Sequence, residues 1–187
     1  MCHATRVVTV LALVLAAVFG AGDQYLGSFS MHPWMADISL LSAPWLVLAF
    51  LAGYTQRNPK RAALLGIGCT LSALIGYGAM TLSPVENAHV SMASINAFVR
   101  SESEVFIGGV VTGPLFAWFG QRWRVHRAWR GALATAAAVC LEPLVRIPTG
   151  QAIRSSTVLL AEVAVGIAMA TYIATRTLMS AEAGRHR

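Results

Sequence analysis

Long apolar runs separated by short connections dominate this sequence of 187 residues. The runs occupy residues 7–22, 38–54, 62–83, 105–120, 131–145 and 157–175. A helix needs roughly 17–25 mostly apolar residues to cross a bilayer core, so several runs are short but usable. Because 56% of the residues are hydrophobic and only 12% are charged, the chain has too little interior to bury them all. The pattern predicts one domain over residues 1–187, an all-α bundle of six transmembrane helices in contact with the lipid bilayer.

Basic residues are distributed unequally between the two sets of connections. Eleven of the 14 lie on one side, namely Arg6, Arg57, Lys60, Arg61, Arg122, Arg124, Arg127, Arg130, Arg176, Arg185 and Arg187. The positive-inside rule therefore predicts a multi-pass protein of the plasma (inner) membrane with both termini cytoplasmic. An alternative is that residues 7–22 form a cleaved signal peptide that ends in the small residues Gly20 to Gly22.

Several classes of function conflict with the residues available. The net charge of +6 comes from clusters between apolar runs and not from one basic face, so no nucleic-acid partner is expected. The three cysteines have no metal-site spacing, and the five histidines lie in loops or tails, away from any haem-binding position. The single lysine, Lys60, lies in a loop, and no nucleotide-binding or hydrolase motif occurs. The sequence predicts no metal and no cofactor.

Four apolar segments resemble a family of actinobacterial polytopic membrane proteins that is known only as a domain of unknown function. The resemblance lies in Ser42 to Gly53, Ala62 to Gly78, the Gly113-Pro114 turn with its following aromatics, and Leu141-Glu142-Pro143. It covers most of the chain, although apolar motifs of this kind are only moderately specific. The resemblance implies a polytopic membrane fold and no particular activity.

Glu142 is one of two acids that the pattern places inside helices, in their outer halves. Arg146 follows it by four residues, so both side chains share one helix face. Pro143 lacks an N–H and leaves the carbonyl of Val139 without its helical donor. The two interpretations are a buried ion pair that fixes helix packing and a functional carboxylate with Arg146 as a binding residue.

Glu162 is the second intramembrane acid, about two turns into the last run. No basic residue occurs at a neighbouring position of its own helix, although Arg146 or Arg154 could reach it in space. Desolvation disfavours the charged form, so an unpaired Glu162 would be a neutral acid able to donate a proton. The structural alternative is a hydrogen bond between helices.

Asp23 and Asp37 lie at the outer ends of the first two runs, with aromatic residues near the same level. Both acids are candidates for assisting proton transfer, and the alternative is that they are merely solvated. The aromatic candidates for binding a substrate or shielding a cation are Trp34, Trp45, Tyr25 and Phe106. Their alternative role is an interfacial aromatic belt.

These residues predict a cavity that opens towards the outer leaflet and accepts a lipophilic small molecule. The best functional hypothesis is an enzyme, a terpenoid cyclase in which Glu162 or Glu142 donates the proton that initiates the reaction; this rests on analogy. An alternative is the substrate-capture subunit of a vitamin-type transporter, in which a patch at Ala12 and Ala16 contacts a membrane protein partner. A further alternative is an assembly factor of a larger membrane complex.

Overall fold

The computed structural model describes residues 2–29, 32–86, 90–146 and 153–185. The described residues form helices and connections and no strand, which confirms the all-α prediction. The helices are α1 (Cys2–Gly27), α2 (Pro33–Ser39), α3 (Ala43–Tyr54), α4 (Pro59–Thr81), α5 (Met92–Ser101), α6 (Ser103–His126), α7 (Trp129–Arg146) and α8 (Ser156–Arg185). A 3-10 turn, Pro84–Glu86, follows α4.

Within the described residues, four segments are long and apolar enough to cross a bilayer: Arg6–Gly27, Pro59–Thr81, Ser103–His126 and Ser156–Thr177. Large apolar side chains along these helices point away from the rest of the chain, as lipid contact requires. These features support an integral membrane protein. The count of six transmembrane helices and the cytoplasmic termini stay predictions.

The second apolar run is not one helix, so the prediction of a continuous helix over residues 38–54 is wrong. α2 ends at Ser39 and α3 begins at Ala43, with Leu40, Leu41 and Ser42 between them. Pro44 lies in the first turn of α3, where its missing N–H and fixed φ are tolerated. α3 has only 12 residues and is about 18 Å long. The break leaves backbone polar groups that need partners from elsewhere in the chain.

α1 and α4 pack closely because small residues line their contact. A Cβ added at Gly20 would lie 1.9 Å from the carbonyl oxygen of Ala73, and one at Gly76 would lie 1.9 Å from that of Ala17. Ala16 is completely buried in the core cluster that includes Ala73. The Ala12 and Ala16 patch, predicted to contact another subunit, therefore packs inside this chain.

α6 packs against α3 and α4 through further close approaches, at Gly53 with Ala117 and at Gly66 with Gly113. α7 pairs with α8 and also contacts α3 and α6, while α2 contacts α1 and α8. The break between α2 and α3 therefore lies where α7 and α8 approach the bundle. We call this the acid-rich end, because α1 ends and α8 begins there with the candidate carboxylates.

Candidate functional site

Glu142 of α7 caps the N-terminus of α3. Its two carboxylate oxygens accept hydrogen bonds from the backbone N–H groups of Ser42 and Ala43, at 2.5 Å each. The first N–H groups of a helix have no partner within the helix, and the helix dipole favours a negative charge at that end. Glu142 therefore satisfies the donors that the break in the second run exposes.

Arg146, one turn further along α7, satisfies the acceptors of the same break. It pairs with Glu142, with its Nη2 2.6 Å and its Nε 2.8 Å from Oε1. Nη2 also donates to the carbonyl of Leu40 and, at 3.0 Å, to the hydroxyl of Ser42. The predicted Glu142–Arg146 ion pair is confirmed, and the structure adds its connection to the start of α3.

The C-terminus of α3 is held by a side chain of opposite charge. Arg124 of α6 donates to the carbonyls of Tyr54 and Thr55 at 2.9 and 2.6 Å, and its guanidinium lies 5.7 Å from the Tyr54 ring centroid. A cation at this end complements the helix dipole as Glu142 does at the other end. α3 is thus a short helix with a charged cap at each terminus.

Asp37 of α2 caps α8 in the same manner. It accepts hydrogen bonds from the backbone N–H groups of Ser155 at 2.6 Å and Arg154 at 3.3 Å, immediately before α8 begins. Only 4% of Asp37 is exposed, so the interpretation of this residue as a solvated carboxylate is wrong. Its charge is used to join α2 to α8.

Asp23 belongs to a different part of the molecule. It is 7% exposed and accepts a hydrogen bond from Trp45 Nε1 at 3.3 Å, so it too is buried rather than solvated. The Trp45 ring packs against Phe19 and Tyr77, with centroids 5.4 and 6.5 Å away. The row of rings continues from Tyr77 through Phe98 to Phe106.

A cavity of about 660 Å³ lies between α2, α3, α7 and α8. Its wall is almost entirely apolar and consists of Trp34, Ile38, Leu41, Ala43, Pro44, Val47, Val139, Ser155, Thr157, Val158, Ala161, Glu162 and Val165. The polar exceptions are two hydroxyl residues and one carboxyl. The cavity has the size and composition of a small-molecule site.

Glu162 is the acid in the wall of this cavity. It is 5% exposed, and within the described residues no donor bonds either of its carboxyl oxygens. Glu142 and Arg146 are its charged neighbours. Buried polar groups are almost always hydrogen-bonded, so a carboxyl without a partner in an apolar cavity is a candidate contact for a ligand.

The structure gathers only part of the predicted site. Trp34 and Glu162 line the cavity, and Glu142 and Arg146 lie behind it. The remaining candidates are elsewhere. Asp37 caps α8, and Asp23 of α1 accepts a hydrogen bond from Trp45 of α3. Phe106 ends the row of rings, and half-exposed Tyr25 makes an edge-to-face contact with Phe29. None of these placements tests a functional role.

Most of the cavity wall was not among the predicted residues. One side of the wall is a single helix face with i, i+3, i+4, i+7 spacing, formed by Val158, Ala161, Glu162 and Val165. The sequence pattern is sufficient to predict this side. The opposite side depends on the break between α2 and α3, which periodicity alone does not show. In the described part of the chain, no group of three His, Cys, Asp or Glu residues could hold a metal ion.

Comparison of the chain with protein-family models, curated proteins and solved structures gave no match. The resemblance to the actinobacterial membrane family therefore stays a prediction. Functional inference depends on the geometry of the site.

Proposed function

We propose that this chain is a multi-pass plasma-membrane protein that binds a lipophilic small molecule in the cavity between α3 and α8. Glu162 is the polar contact for that ligand. The observation that carries the proposal is a buried carboxyl with no hydrogen-bond donor, placed in the wall of an apolar cavity of about 660 Å³.

The proposed topology has six crossings, with both termini cytoplasmic. Four are the long apolar helices, and the fifth is α2 together with α3, which span 22 residues and about 30 Å from Pro33 to Tyr54. The sixth is α7, whose 18 residues reach about 27 Å. The charged caps on α3 support this arrangement, because irregular backbone at membrane depth requires partners from the protein.

The charges near the cavity support a proton on Glu162. Glu142, Glu162 and Arg146 would together carry a net negative charge if all three were ionised, which is costly in a low-dielectric site. Glu142 accepts charge-assisted bonds from two backbone amides and from the guanidinium. Glu162 receives no such bond, so the proton belongs there.

A neutral carboxylic acid in this position favours a ligand with one polar group. The acid offers one O–H donor and further acceptor sites, which suit a hydroxyl or a similar head on an otherwise hydrocarbon molecule. The apolar wall supplies the remaining affinity by excluding water and lipid from the ligand surface. An isoprenoid alcohol has this combination.

Proton-initiated terpenoid cyclisation is a second candidate, favoured by the placement of an acid and the Trp34 ring in one cavity. Such a reaction benefits from aromatic faces around the cation. Trp45, Tyr25 and Phe106 lie away from the cavity, so Trp34 alone would provide that shielding. Binding without cyclisation, as in a substrate-capture subunit, requires only the cavity and Glu162.

The test uses farnesol and its hydrocarbon counterpart farnesene, each titrated into purified full-length protein and followed by native mass spectrometry. Glu162→Leu should weaken farnesol binding by about tenfold, because one hydrogen bond is lost, and leave farnesene binding unchanged. Ala161→Trp should abolish binding of both probes by filling the cavity. Glu104→Gln, which alters an exposed carboxyl on α6, serves as the control.

Two outcomes would contradict the proposal. If the Ala161→Trp variant binds each probe as tightly as wild type does, the cavity is not the binding site. An unchanged preference for farnesol in Glu162→Leu would show that Glu162 does not contact the ligand.

An infrared spectrum of wild type should contain a carboxylic acid C=O band that Glu162→Gln lacks.

A further inference from the structure

The connection between α6 and α7 forms a tight turn at the end of the bundle opposite the candidate cavity. Arg127 adopts the left-handed conformation, with φ of 51°. Its N–H donates to the carbonyl of Trp123, and the N–H of Ala128 donates to that of Arg122. α7 begins at the next residue, so the last turn of α6 and the first turn of α7 lie side by side.

A second pocket, of about 530 Å³, lies in this corner. Its lining consists of Trp118, Arg122, Ala128, Trp129 and Arg130. The Arg122 guanidinium lies 4.9 Å from the Trp118 ring centroid, and that of Arg130 lies 5.9 Å from the Trp129 ring. Each arginine is therefore held over a ring by a cation–π contact, with its N–H groups still available.

These two arginines differ from their neighbour Arg124. Arg124 uses its guanidinium to cap α3, whereas Arg122 and Arg130 have exposed side chains. Within the described residues neither of the two makes a hydrogen bond or an ion pair through its guanidinium. Two positive charges thus face one pocket, and no described side chain supplies an anion to either.

Among the side chains that the structure describes, the acids lie away from these two arginines. Every acidic side chain that the structure describes lies near the other end of the bundle or in the half of a helix next to it: Asp23, Asp37, Glu102, Glu104, Glu142 and Glu162. Glu182 belongs to the α8 tail at this end, but its side chain lies outside the described residues. The pocket therefore holds two guanidinium groups and, among the described side chains, no carboxylate.

We propose that this pocket binds the phosphodiester headgroup of an anionic phospholipid from the adjacent leaflet. Guanidinium groups match phosphate oxygens in a forked, charge-assisted geometry. Tryptophan rings favour the boundary between headgroups and acyl chains, so Trp118 and Trp129 contact the glycerol region of the same lipid. Basic pockets between helix ends at a membrane surface commonly have this role. The inference is independent of the cavity near Glu162.

The experiment titrates full-length protein in detergent with phosphatidylglycerol or with phosphatidylcholine of identical acyl chains, and counts bound lipids by native mass spectrometry. Wild type should prefer the anionic lipid. Arg122→Gln with Arg130→Gln should weaken phosphatidylglycerol binding by about thirtyfold, because each basic residue near an anionic headgroup contributes about fivefold. Phosphatidylcholine binding should change little.

The matched control is Arg57→Gln with Arg61→Gln, which removes the same charge from exposed side chains at the same end of the bundle. It should retain the preference of wild type. Arg122→Lys with Arg130→Lys keeps the charge and loses the fork, so it should bind the anionic lipid with intermediate affinity. A melting scan confirms that each variant remains folded.

Three results would overturn the proposal. The first is equal binding of the two lipids by wild type. The second is an equal loss in the control and in the Arg122 and Arg130 variant, which would indicate a general effect of charge. The third is displacement of the lipid by an equal concentration of glycerol 3-phosphate, which would identify a site for a soluble phosphate.

Discussion

At the residue scale, Glu142 and Glu162 are neighbouring carboxyls with opposite surroundings. Glu142 receives hydrogen bonds from Ser42, Ala43 and Arg146, and no described donor reaches Glu162. The carboxylate with many donors holds the backbone together. The one without donors is available to a ligand.

Because of this difference, replacing each glutamate by glutamine should change the stability of the protein by different amounts. Glu142→Gln should destabilise the protein by about 3–5 kcal/mol, because it leaves Arg146 buried without its counter-charge and weakens the cap on α3. Glu162→Gln should leave the stability close to that of wild type, since a neutral amide replaces a carboxyl that we propose is neutral. Thermal and denaturant melting in detergent measures both variants.

A double variant separates the two functions of Glu142. Combining Glu142→Gln with Arg146→Gln removes the stranded charge, but it also removes the donors to Leu40 and Ser42. We therefore expect only partial recovery of stability. Complete recovery would show that the contacts with the break contribute nothing, and a Glu162→Gln variant as unstable as Glu142→Gln would contradict the assigned charge states.

The same residues show what the sequence could predict. The spacing of Glu142 and Arg146 predicted their pair, because side chains four residues apart lie next to each other on one face of a helix. Solvation was one of the two interpretations of Asp37 and Asp23, yet both are buried. Their partners, Ser155 and Trp45, lie 118 and 22 residues away, and no local pattern encodes such contacts.

At the element scale, α1 and α4 approach each other closely through small residues. Gly76→Ala should destabilise the protein by about 1–3 kcal/mol, because its Cβ would lie 1.9 Å from the backbone oxygen of Ala17 and the helices would have to separate. Gly22→Ala is the matched control in α1, where nothing lies within 4 Å of the new Cβ. Detergent melting compares the two, and similar melting temperatures would contradict this packing.

Helix positions were easier to predict than helix continuity. For most of the ends of α1, α4, α6, α7 and α8, the apolar runs predict the position to within a few residues. The short helix α5, which lies between the third and fourth runs, has no buried residue. The apolar run alone does not indicate its own division, because Pro44 is compatible with a helix start and α3 begins beside it. The carboxylate oxygens that accept hydrogen bonds from this break belong to α7, so the sequence around the break does not indicate them.

At the scale of the whole molecule, the proposed topology places Lys60 and Val90 on opposite sides of the membrane. In a variant whose native cysteines are replaced by alanine, Lys60→Cys should resist a membrane-impermeant maleimide added to intact cells, and Val90→Cys should react. Both side chains are exposed, so accessibility within the protein does not limit labelling. Permeabilised cells are the control, in which both positions should react, and the reverse pattern in intact cells would contradict the orientation.

The residues that cap α3 are synthesised long after α3 itself, which has a consequence for insertion of the nascent chain into the membrane. Arg124 follows the carbonyls that it binds by about 70 residues, and Glu142 follows the amides that it binds by about 100. A nascent chain therefore delivers α3 to the insertion machinery long before either cap is translated. Until Glu142 of α7 has been translated, the start of α3 lacks its carboxylate partner. Both caps of α3 thus depend on the later helices α6 and α7.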